Sequence, residues 1–281
     1  MTPSGPSSID LTPDTTIRAD MFQTAVLASG SKGNCILVRT NETKILIDAG
    51  LSGKKIWNAM EKLSLKEEKL NALFISHDHS DHIKGAGIVA RKMKIPLYIT
   101  QETYRYGQKH LGIIDSYLTH FEVGDRIVVG DIMIQTFPSS HDAVDSCNFV
   151  ITQAENESAK LAVCTDLGYS TRLTLNRISG TTTLILESNH DEDMLHNGPY
   201  PWDLKQRIRS NKGHLSNKQA VGIISSILHP GLKNIVLAHL SEENNSPELA
   251  ERTSREFLES VRYDGKLYVA DQYEPTPLLD I

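Results

Sequence analysis

The stretch FISHDHSDHIKG, residues 74–85, sets the tightest limit on what this chain can fold into. Its six positions from His77 to His82 hold three histidines and two aspartates, directly behind the apolar run LNALFIS. A short apolar run of that kind reads as a buried strand. The segment after it, HIKGAGIVARKMK, reads as a helix that stops before Pro96. The cluster therefore falls on a strand-to-helix turn, where α/β layouts collect their site residues. Imidazole and carboxylate together suit borderline divalent ions such as zinc and manganese. In a tight turn His77 and His79 reach one ion, while Asp81 and His82 reach a second. Two ions need more ligands than one turn supplies. Three distant strand ends offer them: His141 after IMIQTFP, Asp166 after KLAVC, and His239 after NIVLA. A carboxylate at Asp166 is able to bridge two cations.

The surrounding pattern supports an α/β architecture. From Phe22 onward, FQTAVLAS, CILVRT and KILIDAG read as strands, and SGKKIWNAMEKL as a helix begun by Ser52. PLYIT, YLTHF, RIVVG, IMIQTFP, NFVITQ and KLAVCTD read as further strands. Helices are expected at QETYRYGQKHLG, near 171–178, 201–210 and 216–228, and over 247–260, with strands TTLILES, NIVLAHL and KLYVA between and after them. Two strand-rich halves, each followed by helices, predict two sheets packed face to face with helices outside. Residues 1–21 form a polar stretch without the apolar core of a secretory signal, and 22–281 are expected to make one domain.

Composition narrows the class. A net charge of −6 gives no global basic field, so any nucleic-acid contact must be local. No run of 18 apolar residues is present, which predicts no membrane-spanning helix. Cys35, Cys147 and Cys164 are odd in number and form no CxxC pair, which fits a reducing cytoplasm.

H-x-H-x-D-H followed by His, Asp and His at strand ends resembles the metallo-β-lactamase superfamily, over nearly all of the chain from residue 22. The resemblance implies a metallo-β-lactamase-like αββα sandwich with two divalent ions, Zn²⁺ or Mn²⁺, with Fe also compatible. It implies His77, His79 and His141 around one ion, Asp81, His82 and His239 around the other, and Asp166 between them. Asp78 falls on a variable position of the motif. Class B β-lactamases carry Cys where this chain has Asp166. Glyoxalase-II-like thioesterases add a C-terminal helical lobe, β-CASP nucleases a large cap, tRNase Z a long exosite arm, and PhnP-like phosphodiesterases a Cys/His zinc cluster. None of these is apparent here.

LASGSKGNCILVRTNETKILIDAGLS, FISHDHSDHIKG, CTDLGY, LESNHD, GHLSNKQA and LAHLSEENNSPE resemble the YycJ/WalJ-like branch, in the same order. That branch implies a bacterial cytoplasmic nuclease acting 5′ to 3′ on DNA in processing or repair. Glu187 and His214 resemble the Glu–His pair of tRNase Z-like enzymes, which implies that Glu187 orients His214 and that His214 protonates the leaving oxygen. Asp81 is expected to position the attacking metal-bound hydroxide. Ser31 and Asn34 of the GSKGN loop, His190, Arg209 and Lys212 are the expected substrate contacts, the last two from a basic run that also holds Lys205 and Arg207. The rival readings are a small-molecule ester, lactone or cyclic phosphodiester hydrolase on the same core, and a non-catalytic scaffold. An enclosed apolar pocket favours the small-molecule enzyme, and an open basic groove favours DNA.

Overall fold

The computed structural model describes residues 21–65 and 69–281. Apart from Met21, the polar stretch expected over 1–21 lies outside the described residues. Two seven-stranded sheets form the centre. The first runs β14 (Leu279–Asp280), β1 (Phe22–Ala28), β2 (Cys35–Thr40), β3 (Lys44–Ile47), β4 (Ala72–Phe74), β5 (Leu97–Ile99), β6 (Leu118–His120). The second runs β13 (Lys266–Val269), β12 (Asn234–Ala238), β11 (Thr183–Glu187), β10 (Asn156–Cys164), β9 (Cys147–Gln153), β8 (Ile132–Pro138), β7 (Arg126–Val129).

The sheets face each other across one apolar layer that includes Val26, Ile47, Phe74, Phe149, Val163, Ile185 and Val236. Phe74 anchors this layer. Its ring stacks on Tyr98 at 4.4 Å and meets Phe149 edge-on at 6.4 Å. Full burial of a side chain of this size contributes about 1.5–3 kcal/mol. Outside the first sheet lie α1 (Gly53–Lys62), α3 (Ala86–Met93) and α4 (Gln101–Leu111), which enclose a second core. Outside the other lie α5 (Arg172–Ile178), α8 (Asn217–Ile227) and α9 (Pro247–Ser260), enclosing a third. The result is an αββα sandwich.

Strand direction places the site. β3, β4 and β5 run parallel, as do β10, β11 and β12. In such layouts ligand-binding residues gather beyond the carboxyl ends of the strands. β11 and β12 are buried along their whole length, which is why TLILE and NIVLA read as continuous apolar runs rather than alternating ones.

Three features depart from the sequence expectation. The helix expected from His82 to Lys94 is divided into α2 (Ser80–Ile83) and α3. Gly85 causes the break: its N–H bonds to the Ala49 carbonyl at 2.8 Å, and a Cβ there would lie 1.8 Å from the Leu51 carbonyl oxygen. Helix α6 (Glu192–Asn197) was not anticipated; the Asp191 carboxylate starts it by accepting from the N–H groups of Asp193 and Met194. The final strand β14 was also not anticipated. It pairs antiparallel with β1 and closes the edge of the first sheet. Between β11 and α8, α7 (Trp202–Arg209) has no buried residue.

Candidate metal centre

His77 follows β4 directly and is buried, while His79 caps the single turn of α2. His141 follows β8. The ligand atoms of His77, His79 and His141 lie within 4.8 Å of one another. Those of Asp81, His82 and His239 do the same beside them, with the His77 and His82 rings 4.1 Å apart. Asp166, at the end of β10, stands between the sets: its oxygens lie 3.0 Å from His82 Nε2, 3.5 Å from His141 Nε2 and 3.5 Å from His239 Nε2.

Hydrogen bonds on the far side of each ring fix which nitrogen is free. His141 Nδ1 lies 3.1 Å from the Gly213 carbonyl, a contact only a ring N–H can make, so Nε2 keeps its lone pair. His82 Nδ1 donates to the Asp48 carboxylate at 2.7 Å, and Asp48 also accepts from the N–H and hydroxyl of Ser76 at 2.8 Å. The Ser76 hydroxyl lies 2.9 Å from His77 Nδ1. Support of this kind sets tautomer and ring orientation in metal sites.

The donor set fits divalent cations. His77 Nε2 is buried with no hydrogen-bond partner among the described residues, although it lies among other ligand atoms. Burial of such groups without a partner costs free energy that a cation recovers. Burial opposes charge on His82 and His239, yet Asp166 and neighbouring carboxylates hold both rings well above the ordinary histidine range. The site thus draws positive charge to its carboxylates. The backbone is strained at the same places: Asp48, Asp166 and His239 have φ of 60°, 55° and 54°. Left-handed non-glycine residues cost roughly 1–2 kcal/mol each and cluster at functional sites.

Beside this centre, Glu187 at the end of β11 is fully buried and accepts from His214 Nδ1 at 2.6 Å. Its second oxygen accepts from the Leu167 N–H at 2.8 Å. Burial opposes ionisation of both partners, but their mutual attraction prevails, lowering the Glu187 carboxyl and raising the His214 imidazole. The His214 ring lies nearly parallel to that of His239, 5.3 Å away.

A cleft of about 280 Å³ opens over these groups. Of the site residues expected from the sequence, Ser31, His79, Asp81, Asp166, His214 and His239 line it. Four expected substrate contacts do not. Asn34 is buried, with Nδ2 3.2 Å from Asp81 Oδ2 and 3.0 Å from His82 Nε2, so it props the second ligand set from below. The GSKGN loop offers no open phosphate nest. The N–H groups of Gly30, Lys32, Gly33 and Asn34 are already bonded, to the Asn34 side chain, Gln272, Gly30 and Asp81 respectively. His190 is 2% exposed and pairs with Ser216 through its backbone. Arg209 and Lys212 are exposed but do not line the cleft.

Among the described residues lining the cleft, Arg207 is the one arginine or lysine, and its Nε is ion-paired with Asp142. The basic groove expected for DNA is therefore absent from the cleft itself. With Asp142 beside Arg207 and Glu187 beside His214, Asp81 and Asp166 are left facing the His82 and His239 rings, where divalent ions would take the place of the ring protons. Asp48, Asp142, Asn189 and Tyr200 were not singled out from the sequence. Asp48 alone left a readable signal there, as an acidic residue ending the apolar strand KILI.

The chain is similar to known proteins over most of its length. Residues 43–239 match the family model described as a beta-lactamase superfamily domain. The chain is 40% identical over 267 residues to "Exodeoxyribonuclease WalJ" of Streptococcus pneumoniae serotype 2 (strain D39), covering 92% of this chain and 98% of that protein. It is 39% identical over 236 residues to "Exodeoxyribonuclease YycJ" of Bacillus anthracis, covering 84% and 88%. Among solved structures, the metallo-beta-lactamase fold protein YhfI from Bacillus subtilis superposes with a TM-score of 0.67 at 16% identity, over 91% of this chain and 99% of that one.

Proposed function

Because the chain belongs to the beta-lactamase superfamily domain family, and spans almost the full length of relatives named exodeoxyribonucleases, we propose that it is a metal-dependent 5′ to 3′ DNA exonuclease acting in DNA processing or repair. The observation that carries this reading is the pair of ligand sets joined by Asp166, set beside an ion-paired Glu187–His214. Three buried free cysteines support a cytoplasmic setting.

His77, His79 and His141 would hold one ion, and Asp81, His82 and His239 the other, with Asp166 shared. Zn²⁺ and Mn²⁺ are the ions this donor set favours. Such ions acidify water to a pKa near 7 and neutralise charge on phosphate oxygens. Asp81, facing the cleft, orients the attacking water. His214 keeps Nδ1 on Glu187 and presents the opposite nitrogen to the leaving oxygen. Glu187 favours the protonated ring, so a proton is available where the alkoxide forms.

The test is digestion of linear, nicked and covalently closed circular DNA of one sequence with Mn²⁺ or Zn²⁺. Linear DNA labelled at its 5′ end should lose label first as mononucleotides, while closed circles survive. Turnover of esters or lactones with all three DNA forms intact would reject the nuclease reading.

Two expectations follow from the supporting carboxylates. Glu187→Gln removes the charge that raises the His214 pKa, so His214 loses its proton at lower pH. The alkaline limb of the pH–rate profile should shift toward acid; an unmoved limb would separate Glu187 from proton donation. Asp48→Asn keeps a side chain that tolerates positive φ but removes the charge behind His82. Metal affinity should fall about 10- to 100-fold, with activity restored by excess ion. Titration calorimetry gives the first quantity and rates at saturating metal the second.

A further inference from the structure

The wall of the cleft contributed by α7 and the residues before it has a composition the hydrolytic groups do not require. Leu204 and Ile208 line it one turn apart on α7, and Tyr200 joins them from the bend before the helix. Arg207 sits beside them and also lines the cleft. The opposite side is polar, made of the ligand residues and His214. The cleft therefore has an aromatic and aliphatic side, a charged side, and one cation between.

α7 is held where it is by its own surroundings. The His214 N–H bonds to the Ile208 carbonyl at 2.9 Å, and a Cβ on Gly213 would lie 2.1 Å from the same oxygen. The segment that carries His214 thus folds tightly onto the end of α7, which fixes Leu204 and Ile208 relative to the reacting groups. Asp142 takes Arg207 Nε, and among the described residues the two Nη groups make no hydrogen bond. They are left for an anionic oxygen in the cleft.

A nucleotide has this same division: a flat apolar base, and a phosphate a few bonds away. We propose that Tyr200, backed by Leu204 and Ile208, is the platform on which the terminal base packs while its phosphodiester is cut, with Arg207 meeting a phosphate oxygen of that nucleotide. The inference rests on the nuclease reading above. It makes Tyr200 a specificity-determining residue, and it makes the cleft a one-nucleotide site that takes an end rather than the middle of a duplex.

The experiment compares linear DNA ending in a normal 5′ nucleotide with the same DNA ending in an abasic one, for the wild type, Tyr200→Ala and Tyr200→Phe. Base–aromatic stacking predicts a wild-type preference for the normal end of about tenfold to a hundredfold in kcat/KM. Tyr200→Ala should lose that preference while its rate on the abasic end stays near the wild-type value, which also reports an intact fold. Tyr200→Phe should keep it. Equal wild-type rates on both ends would overturn the platform and leave the nuclease reading standing. So would a Tyr200→Ala variant that retains the preference or loses both rates alike. A wild type that degrades neither DNA would remove the nuclease reading and this inference together.

Discussion

Replacing His214 with alanine should lower the rate of DNA hydrolysis about 10²- to 10⁴-fold, the usual contribution of a positioned general acid. The size follows from the leaving group. A deoxyribose alkoxide is a strong base and departs slowly unless protonated. In the proposed mechanism His214 supplies that proton; its Nδ1 is committed to Glu187 at 2.6 Å and its ring lines the cleft. Neither of the two ligand sets assigned to the ions contains His214, but its ring lies within 4.8 Å of ligand atoms of Asp166 and His239, so bound metal is counted beside the rate. The signature is dependence on the leaving group. A phosphodiester that releases p-nitrophenolate needs no proton, and the variant should cleave it at close to the wild-type rate. Equal losses on DNA and on the nitrophenyl ester, with metal content unchanged, would assign His214 to binding or to structure.

Asp166→Asn has a larger expected effect. The carboxylate lies against His141 of one ligand set and His82 and His239 of the other, and burial, which alone would keep it neutral, is overcome by His239, His82 and His77, so its carboxyl stays well below the ordinary range. An amide offers no charge and turns N–H groups toward the same rings. The backbone there has φ of 55°, a conformation asparagine adopts readily, so the substitution tests the charge rather than the fold. Without the shared carboxylate the acidification of water is lost, and the rate should fall at least ~10³-fold. Bound metal, counted by atomic emission, should drop below the wild-type ratio. A variant with wild-type metal content and activity would remove Asp166 from the site.

The sequence exposed the parts of this site that are local or sit at strand ends. His77, His79, Asp81 and His82 fall within six residues on one turn, so their grouping needs no fold to be seen. His141, Asp166 and His239 each follow an apolar run, but they stood out as a set because their order resembles that of the metallo-β-lactamase superfamily. What stayed hidden depends on distance along the chain. Asp48 meets His82 across 34 positions, and Asp142 meets Arg207 across 65. The glycine loop and His190 misled for a related reason. A loop's spare N–H groups look available until the fold shows that Asn34, Gln272 and Asp81 have taken them. Arg207 was separated from Arg209 only by the direction each faces from a short helix. The two-sheet fold was readable from alternating strand and helix patterns, whereas the break at Gly85 and the return of β14 to β1 arise from close backbone approach and long-range pairing.

The central claim is that paired cations on these ligands hydrolyse DNA from its ends. The most direct measurement strips the protein of metal, adds back Mn²⁺ or Zn²⁺ in steps, and counts bound ions beside the release of nucleotides from 5′-phosphorylated linear duplex at low salt. The account predicts two ions per chain, no activity in the stripped protein, and 5′ mononucleotides appearing as the pair fills. Two bound ions with no DNA hydrolysis, or full hydrolysis in the stripped protein, would contradict it.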